Sequence, residues 1–263
     1  MSGHSFTFTH ALCRAPAQSV TAGLRAQDQG NPDPEAFLLE HQGYVAALRA
    51  TGANVTVLPA DESFPDSVFI EDPALVLHGT AIVLRPGAAT RLGEAATLRA
   101  DLQTHVGRVI DLPPGGTVDG GDILCTDTEV LLGLSARTDA RGAESLRPIV
   151  TDLGYHLRIL DTPPEILHFK TDSALLDAET VLATSRLAAS DCFQGYKVIK
   201  VPTGEEPAAN AIRFNDHVFL AAGYPRTADL LDTLGYSLHQ LPVTQAALVD
   251  GGLSCMSLRY CKA

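Results

Sequence analysis

No apolar run in this chain approaches the ~18 residues a membrane-spanning helix needs, so no membrane partner is expected. The opening residues, Met1 to Thr7, have neither the basic cluster nor the apolar centre of a secretion signal, and none is expected. Positive charge is scarce: 19 Lys and Arg face 31 Asp and Glu, for a formal net charge of -12. That balance argues against nucleic acid and against an anionic surface as default partners. Cysteine is also sparse. The five (Cys13, Cys125, Cys192, Cys255, Cys261) are odd in number and scattered, without paired zinc-ligand spacing. A disulfide framework is therefore not expected, and a reducing cytoplasm is. No shift of composition and no long Pro, Ser or Gly linker divides the 263 residues, which read as a single domain over 1–263.

What is present is a unit that recurs. Five strands each run toward an arginine-bearing turn: Ser5–Thr9 toward Arg14, Ala81–Leu84 toward Arg85, Glu129–Gly133 toward Arg137, Thr180–Ala183 toward Arg186, and His217–Leu220 toward Arg226. Helical apolar spacing follows at Ala36–Leu48, Glu144–Leu153 and Thr227–Leu234, each closed by a glycine. A second strand comes next: Ala53–Leu58, Tyr155–Leu160 and Tyr236–Leu241. One such unit cannot bury its own apolar face, so repetition implies stacked or radial packing. The tetrad Val-Asp-Gly-Gly occurs twice, at Val118–Gly121 and Val249–Gly252, and candidate functional residues lie in different units. A radial arrangement explains both, and the expected fold is a five-bladed α/β propeller of strand-helix-strand units.

Cys255 follows the second tetrad and is flanked by Ser254 and Ser257, as expected of a turn exposed to a ligand. The other four cysteines read as small buried hydrophobes. A cysteine nucleophile needs a histidine to move protons. Among nine, His168 stands out at the end of an apolar run after Pro163-Pro164. His4, His10, His41 and His105 read as surface. Asp119, in the first tetrad, is placed to orient His168 as the third member of a triad does. Asp66, Glu71 and Asp72 bracket a short apolar strand, Val68–Ile70, with no Lys or Arg nearby in sequence. Such a cluster calls for a cation, either a hard metal on oxygens or a guanidinium held by paired carboxylates. Arg85 and Arg137 follow the first strands of separate units and suggest a carboxylate clamp.

These motifs together resemble the dimethylarginine dimethylaminohydrolase family of the guanidino-modifying (pentein) superfamily. The resemblance rests on Pro65–Asp72, Thr117–Asp122, Leu134–Thr138, Leu167–Lys170 and Val249–Cys255, in that order, and covers essentially the whole chain. It implies the five-bladed fold, Cys255 as nucleophile, His168 as general acid and base, and Asp119 as its partner. It also implies Asp66, Glu71 and Asp72 on a guanidinium and Arg85 and Arg137 on an α-carboxylate. Leu24 becomes a lid residue, and the Val249 carbonyl a contact to an α-amino group. The implied partner is a small molecule, a methylated arginine, with no metal and no cofactor; a homodimer is compatible with the sequence. Arginine deiminase shares the nucleophile logic, but its usual inserted helical region has no room in 263 residues. A non-catalytic propeller would not need Cys, His and carboxylates together. A metal-dependent hydrolase built on the carboxylates would not need Cys255.

Overall fold

Asp33 begins the first long element by accepting hydrogen bonds from the amides of Glu35 and Ala36, with Pro34 already set to a helical φ. The computed structural model describes residues 5–262. Strand β1 (His10–Arg14) is followed by helix α1 (Pro34–Ala50) and strand β2 (Asn54–Leu58). Then come β3 (Ala74–Leu77), β4 (Thr80–Val83), α2 (Leu92–His105) and β5 (Arg108–Asp111). The third group is β6 (Ile123–Cys125), β7 (Glu129–Leu134), α3 (Ala140–Asp152) and β8 (His156–Asp161). The fourth is β9 (Ser173–Leu175), β10 (Thr180–Ala183), α4 (Ser185–Ala188) and β11 (Lys197–Lys200). The last comprises β12 (Ile212–Phe214), β13 (His217–Ala221), α5 (Pro225–Thr233) and β14 (Ser237–Leu241), before α6 (Thr244–Ala247) and β15 (Leu258–Tyr260).

These strands form five three-stranded sheets of one design. The middle strand pairs antiparallel with one neighbour and parallel with the other, and the helix supplies the parallel crossover. The chain is thus a five-bladed α/β propeller. The unit is strand-strand-helix-strand rather than strand-helix-strand, because the short antiparallel strand before each middle strand has only three or four residues. Too short to show alternation, it escapes a periodicity reading. The first blade takes that strand from the other end of the chain: β15 pairs with β1 through His10↔Tyr260 and Leu12↔Leu258, which closes the ring.

The first blade departs from expectation in one further respect. Its middle strand is His10–Arg14, not Ser5–Thr9, so Arg14 lies within the strand. Ala11, Leu12 and Cys13 are almost fully buried there. The Phe8 backbone is satisfied instead by the Asn215 side chain, whose Oδ1 accepts from Phe8 N–H at 2.7 Å and whose Nδ2 donates to Phe8 C=O at 3.1 Å. His41 also differs: it is 1% exposed on α1, packed near Tyr44 rather than on the surface. His4 lies outside the described residues. Of the cysteines read as buried, Cys13 and Cys192 are, Cys125 is half-buried and Cys261 is exposed.

Neighbouring blades share cores. Ile82 and Leu84 pack with Val130, Leu132 and α3 residues Leu146 and Val150; Leu131 meets Val181; Leu182 meets Val218 and Leu220. Among the described residues, no helix is long and apolar enough to cross a membrane. Phe214 and Phe219 meet edge to face at 6.1 Å in the core that joins the last blade to the first. Truncating Phe219 to Ala should cost about 3–5 kcal/mol, read as a lower midpoint in urea unfolding. A loss below about 1 kcal/mol would mean this seam does not hold the ring.

Candidate active site

Three loops from different blades meet at one end of the ring: residues 64–73, 117–122 and 249–256. The 64–73 segment, expected to contain a short strand, is a series of turns. Its prolines at 65 and 73 leave Val68, Phe69 and Ile70 to fill the core rather than a sheet. The loops touch through backbone. Gly120 N–H donates to Asp72 C=O at 2.8 Å, Glu71 N–H to Cys255 C=O at 3.2 Å, and Gly121 N–H to Asp72 Oδ1 at 3.2 Å. A Cβ on Gly120 would sit 2.0 Å from the Glu71 carbonyl oxygen, so only glycine permits this approach.

These contacts enclose a narrow cleft of about 40 Å³, lined in part by Leu24, Asp66, Asp72, Asp119, His168 and Cys255, with Arg137 and Val249 at its wall. His168 Nε2 lies 3.1 Å from Asp119 Oδ2, and both are buried. Asp66 Oδ1 accepts from Leu24 N–H at 2.9 Å. The Arg137 guanidinium makes no ion pair among the described residues, although its charge reaches Asp66.

Two expected residues do not line the cleft. Arg85 turns away and donates to Gly116 C=O at 3.3 Å, because its backbone is bridged to Val118 at the edge of its blade. Glu71 faces the other way: its Oε1 accepts from Lys170 Nζ at 2.6 Å and from Arg259 at 2.5 Å. Sequence separation hid these cations. The carboxylate cluster has three in space, since Arg91 pairs with Asp72 and, at 2.6 Å, with Glu94. Arg91 lines the cleft and was missed. Its sequence signal was an Arg-x-x-Glu pair at the start of α2, a helix the sequence reading did not resolve.

A second cavity of about 390 Å³ shares no wall residue with the cleft. Consecutive residues face the two spaces: Asp72 and Glu71, Asp119 and Gly120, Cys255 and Ser254. The larger space contains the Glu71–Lys170–Arg259 ion cluster but, among the described residues, no nucleophile hydrogen-bonded to a base, so the chemistry points to the smaller one.

Burial alone would lower His168, but Asp72, the Asp119 hydrogen bond and Asp122 outweigh it and hold the imidazolium up to about 9. Burial pushes the Cys255 thiol up to about 11, and Asp72 and Glu71 add to it. Burial also raises Asp66. At Asp72 burial works upward, and Arg91 and His168 override it to hold the carboxyl below its ordinary value. Donor atoms of Asp72, Asp119 and His168 lie within 4.8 Å of one another. That is where a metal could lodge, but Arg91 and the Asp119–His168 bond already engage those donors. The arrangement is suited to binding a planar cation beside a sulfur nucleophile, with a charged imidazole as proton donor.

Known proteins share the layout. A family profile described as N,N dimethylarginine dimethylhydrolase, eukaryotic, matches residues 24–162. The N(G),N(G)-dimethylarginine dimethylaminohydrolase of Pseudomonas aeruginosa is 38% identical over 254 residues, covering 96% of this chain and 100% of its own. The Streptomyces coelicolor protein of the same name is 31% identical, covering 95% and 96%. A solved structure of the Pseudomonas aeruginosa protein, a cysteine-to-serine variant complexed with citrulline, superposes with a TM-score of 0.93 at 38% identity, covering 97% and 100%.

His168 sets a pH dependence. Its folded pKa, about 9, lies above the ordinary 6.5, so its contribution to stability is complete below about 6.5 and lost as pH rises through about 9. An NMR titration should place its midpoint near 9, and Asp119→Asn should lower it. A midpoint at or below 6.5 would contradict this electrostatic picture.

Proposed function

The chain belongs to the dimethylarginine dimethylaminohydrolase family, and from that membership we propose that it hydrolyses N-ω-methylated arginines, asymmetric dimethylarginine and monomethylarginine, to citrulline with release of dimethylamine or methylamine. The observation that carries this reading is a buried Cys255 thiol sharing a cleft with the His168–Asp119 pair and with Asp66, a buried carboxylate that forms no ion pair among the described residues. The catalytic unit is the single domain over 1–263.

Asp66 and Asp72 hold the guanidinium and fix its plane, so that its carbon faces Sγ. Arg137 takes the α-carboxylate and the Val249 carbonyl the α-amino group, while Leu24 covers the substrate. Arg91, which lines the cleft where Arg85 does not, braces Asp72. Glu71 acts from behind the site, holding Lys170 and Arg259. In the free enzyme Cys255 is a thiol, because burial and two carboxylates disfavour a further anion. The incoming cation neutralises Asp72, and the thiol proton leaves to solvent.

The thiolate attacks the guanidinium carbon and forms an S–C bond. His168, protonated at neutral pH, gives its proton to the departing dimethylamine as the C–N bond breaks. A thiouronium remains on Cys255. Neutral His168 then takes a proton from water, whose oxygen attacks the same carbon. The C–S bond breaks, citrulline leaves, and the thiol is restored. No step uses a metal.

Citrulline release should be faster from the methylated arginines than from arginine itself, should survive EDTA, and should fall at least about 10³-fold in Cys255→Ser. A preference for arginine would overturn the substrate assignment, and loss of activity in EDTA the mechanism. On the alkaline side kcat/KM should decline through about 9, as His168 loses the proton it must donate. Alkylation of the free enzyme tests the thiol state: a Cys255 midpoint well below neutral would rule out ionisation driven by substrate.

A further inference from the structure

One buried polar side chain at the nucleophile has no place in the steps above. Asn210 follows the short turn Glu206–Ala209 that leads into β12, far in sequence from the Cys255 loop, and is 9% exposed. Its carboxamide is divided between two partners. Oδ1 accepts from Ser254 N–H at 3.0 Å, while Nδ2 points at Cys255 Sγ from 4.0 Å. The contact is made possible by Gly252: a Cβ there would lie 2.6 Å from both Cγ and Nδ2 of Asn210. The paired glycine before the nucleophile thus has a definite role, which is to let this amide reach the sulfur.

We propose that Asn210 is a positioning residue for the reaction, holding the Cys255 turn through Oδ1 and stabilising the sulfur anion through its Nδ2–H. The inference rests on Cys255 as the nucleophile. A neutral thiol is a weak acceptor, and 4.0 Å is a loose contact for it. A thiolate is a strong acceptor and draws the same donor in, as charge-assisted hydrogen bonds do. The charges around Sγ leave this task open. Asp72 and Glu71 from the 64–73 loop oppose the anion, and Lys170 favours it, although Lys170 is bound to Glu71. Arg259 on β15 is likewise paired with Glu71, and His168 with Asp119. Asp66, Asp250, Arg91 and Arg137 complete the charged lining. Among the described residues the other side-chain donor at the sulfur is the Ser254 hydroxyl, at 3.9 Å. Asn210 is therefore an uncharged donor, unaffected by the carboxylates that shift when a cation binds.

The test uses Asn210→Leu, which keeps the branching of the side chain but has neither donor nor acceptor nor charge. Its pH profile of Cys255 alkylation by iodoacetamide separates two roles by sign. If Asn210 only braces the turn, its loss exposes Cys255, and the midpoint falls because burial is what chiefly raises it. If Asn210 stabilises the thiolate, the midpoint rises by about one pH unit. With methylated arginine, kcat should drop about tenfold or more while KM stays within about threefold. A midpoint that falls or stays, or an unchanged kcat, overturns the proposal. Should Asn210→Leu fail to fold, Asn210→Ala gives the same reading. Cys255→Ser in parallel keeps the two questions apart: if that variant retains activity the nucleophile is misassigned, whereas an inactive Cys255→Ser with an unaltered Asn210 variant refutes only the role of Asn210.

Discussion

The ring is held together at its axis by buried aspartates at the entry to the inner strands. Asp72 precedes β3, and its carboxylate engages Arg91 and the Gly121 amide. Asp122 precedes β6 and accepts from Ser135 and Thr138, at 2.7 and 2.6 Å, and from the Phe169 amide at 2.9 Å. Asp172 precedes β9 and holds Thr184 together with Arg186, at 2.7 Å. In each case the partner lies in the loop after the same blade's middle strand, so one carboxylate ties the entry of a blade to its exit. Two of them reach further. Asp72 grips the loop of Asp119, and Asp122 grips the residue after His168. A charge this deep is tolerated only when its oxygens are filled with donors, and those donors fix the loops that carry the site.

The same carboxylates create the site's electrostatics. Asp72 and Asp122, with the Asp119 hydrogen bond, hold His168 up to about 9 against the lowering effect of burial, while burial first and Asp72 next push Cys255 up to about 11. Both groups therefore hold their protons at neutral pH, and the resting cleft pairs a charged imidazole with a neutral thiol. Such a pairing suits a cationic substrate. A guanidinium compensates Asp72 and Asp66 without needing to remove the imidazole proton, which is then available for the leaving amine. A neutral substrate would leave the thiol protonated. The structural latch and the proposed preference for a cation thus have one origin.

Much of this was legible in the sequence, and its limits have physical causes. Four of the five middle strands were found because they are continuous apolar runs, buried on both faces. The fifth was misplaced because Phe6 and Phe8 imitate strand alternation, while Asn215, 207 residues away from Phe8, supplies the hydrogen bonds. Gly-Tyr precedes a blade's last strand at Gly154-Tyr155, Gly195-Tyr196 and Gly235-Tyr236, but before the second of these α4 is only four residues long and leaves no periodic signal. Motif spacing brought Leu24, Asp66, Asp72, Asp119, Arg137, His168, Val249 and Cys255 to one cleft. Glu71 and Arg85, expected there too, do not line it: Glu71 is drawn to Lys170 and Arg259 and Arg85 to the Gly116 carbonyl, partners distant in sequence. Asn210 carried no local signal at all, since its meaning lies in Ser254 and Cys255.

The cleft's small volume follows from how its cover is fastened. At about 40 Å³ it is narrow. Its cover is secured by two carboxylates, Asp66 on the Leu24 amide and Asp250, in a left-handed conformation at φ 55°, on the Ala26 amide at 2.5 Å. Asp66 is also the carboxylate placed to meet a guanidinium. On the proposed reading, a guanidinium at Asp66 shares that carboxylate with the Leu24 amide. The proposed binding and covering roles then meet in one side chain, because a carboxylate has two oxygens and this one accepts a single hydrogen bond among the described residues. An asparagine there would keep one acceptor oxygen but lose both the charge and the second acceptor, so cover and substrate would compete for a single atom.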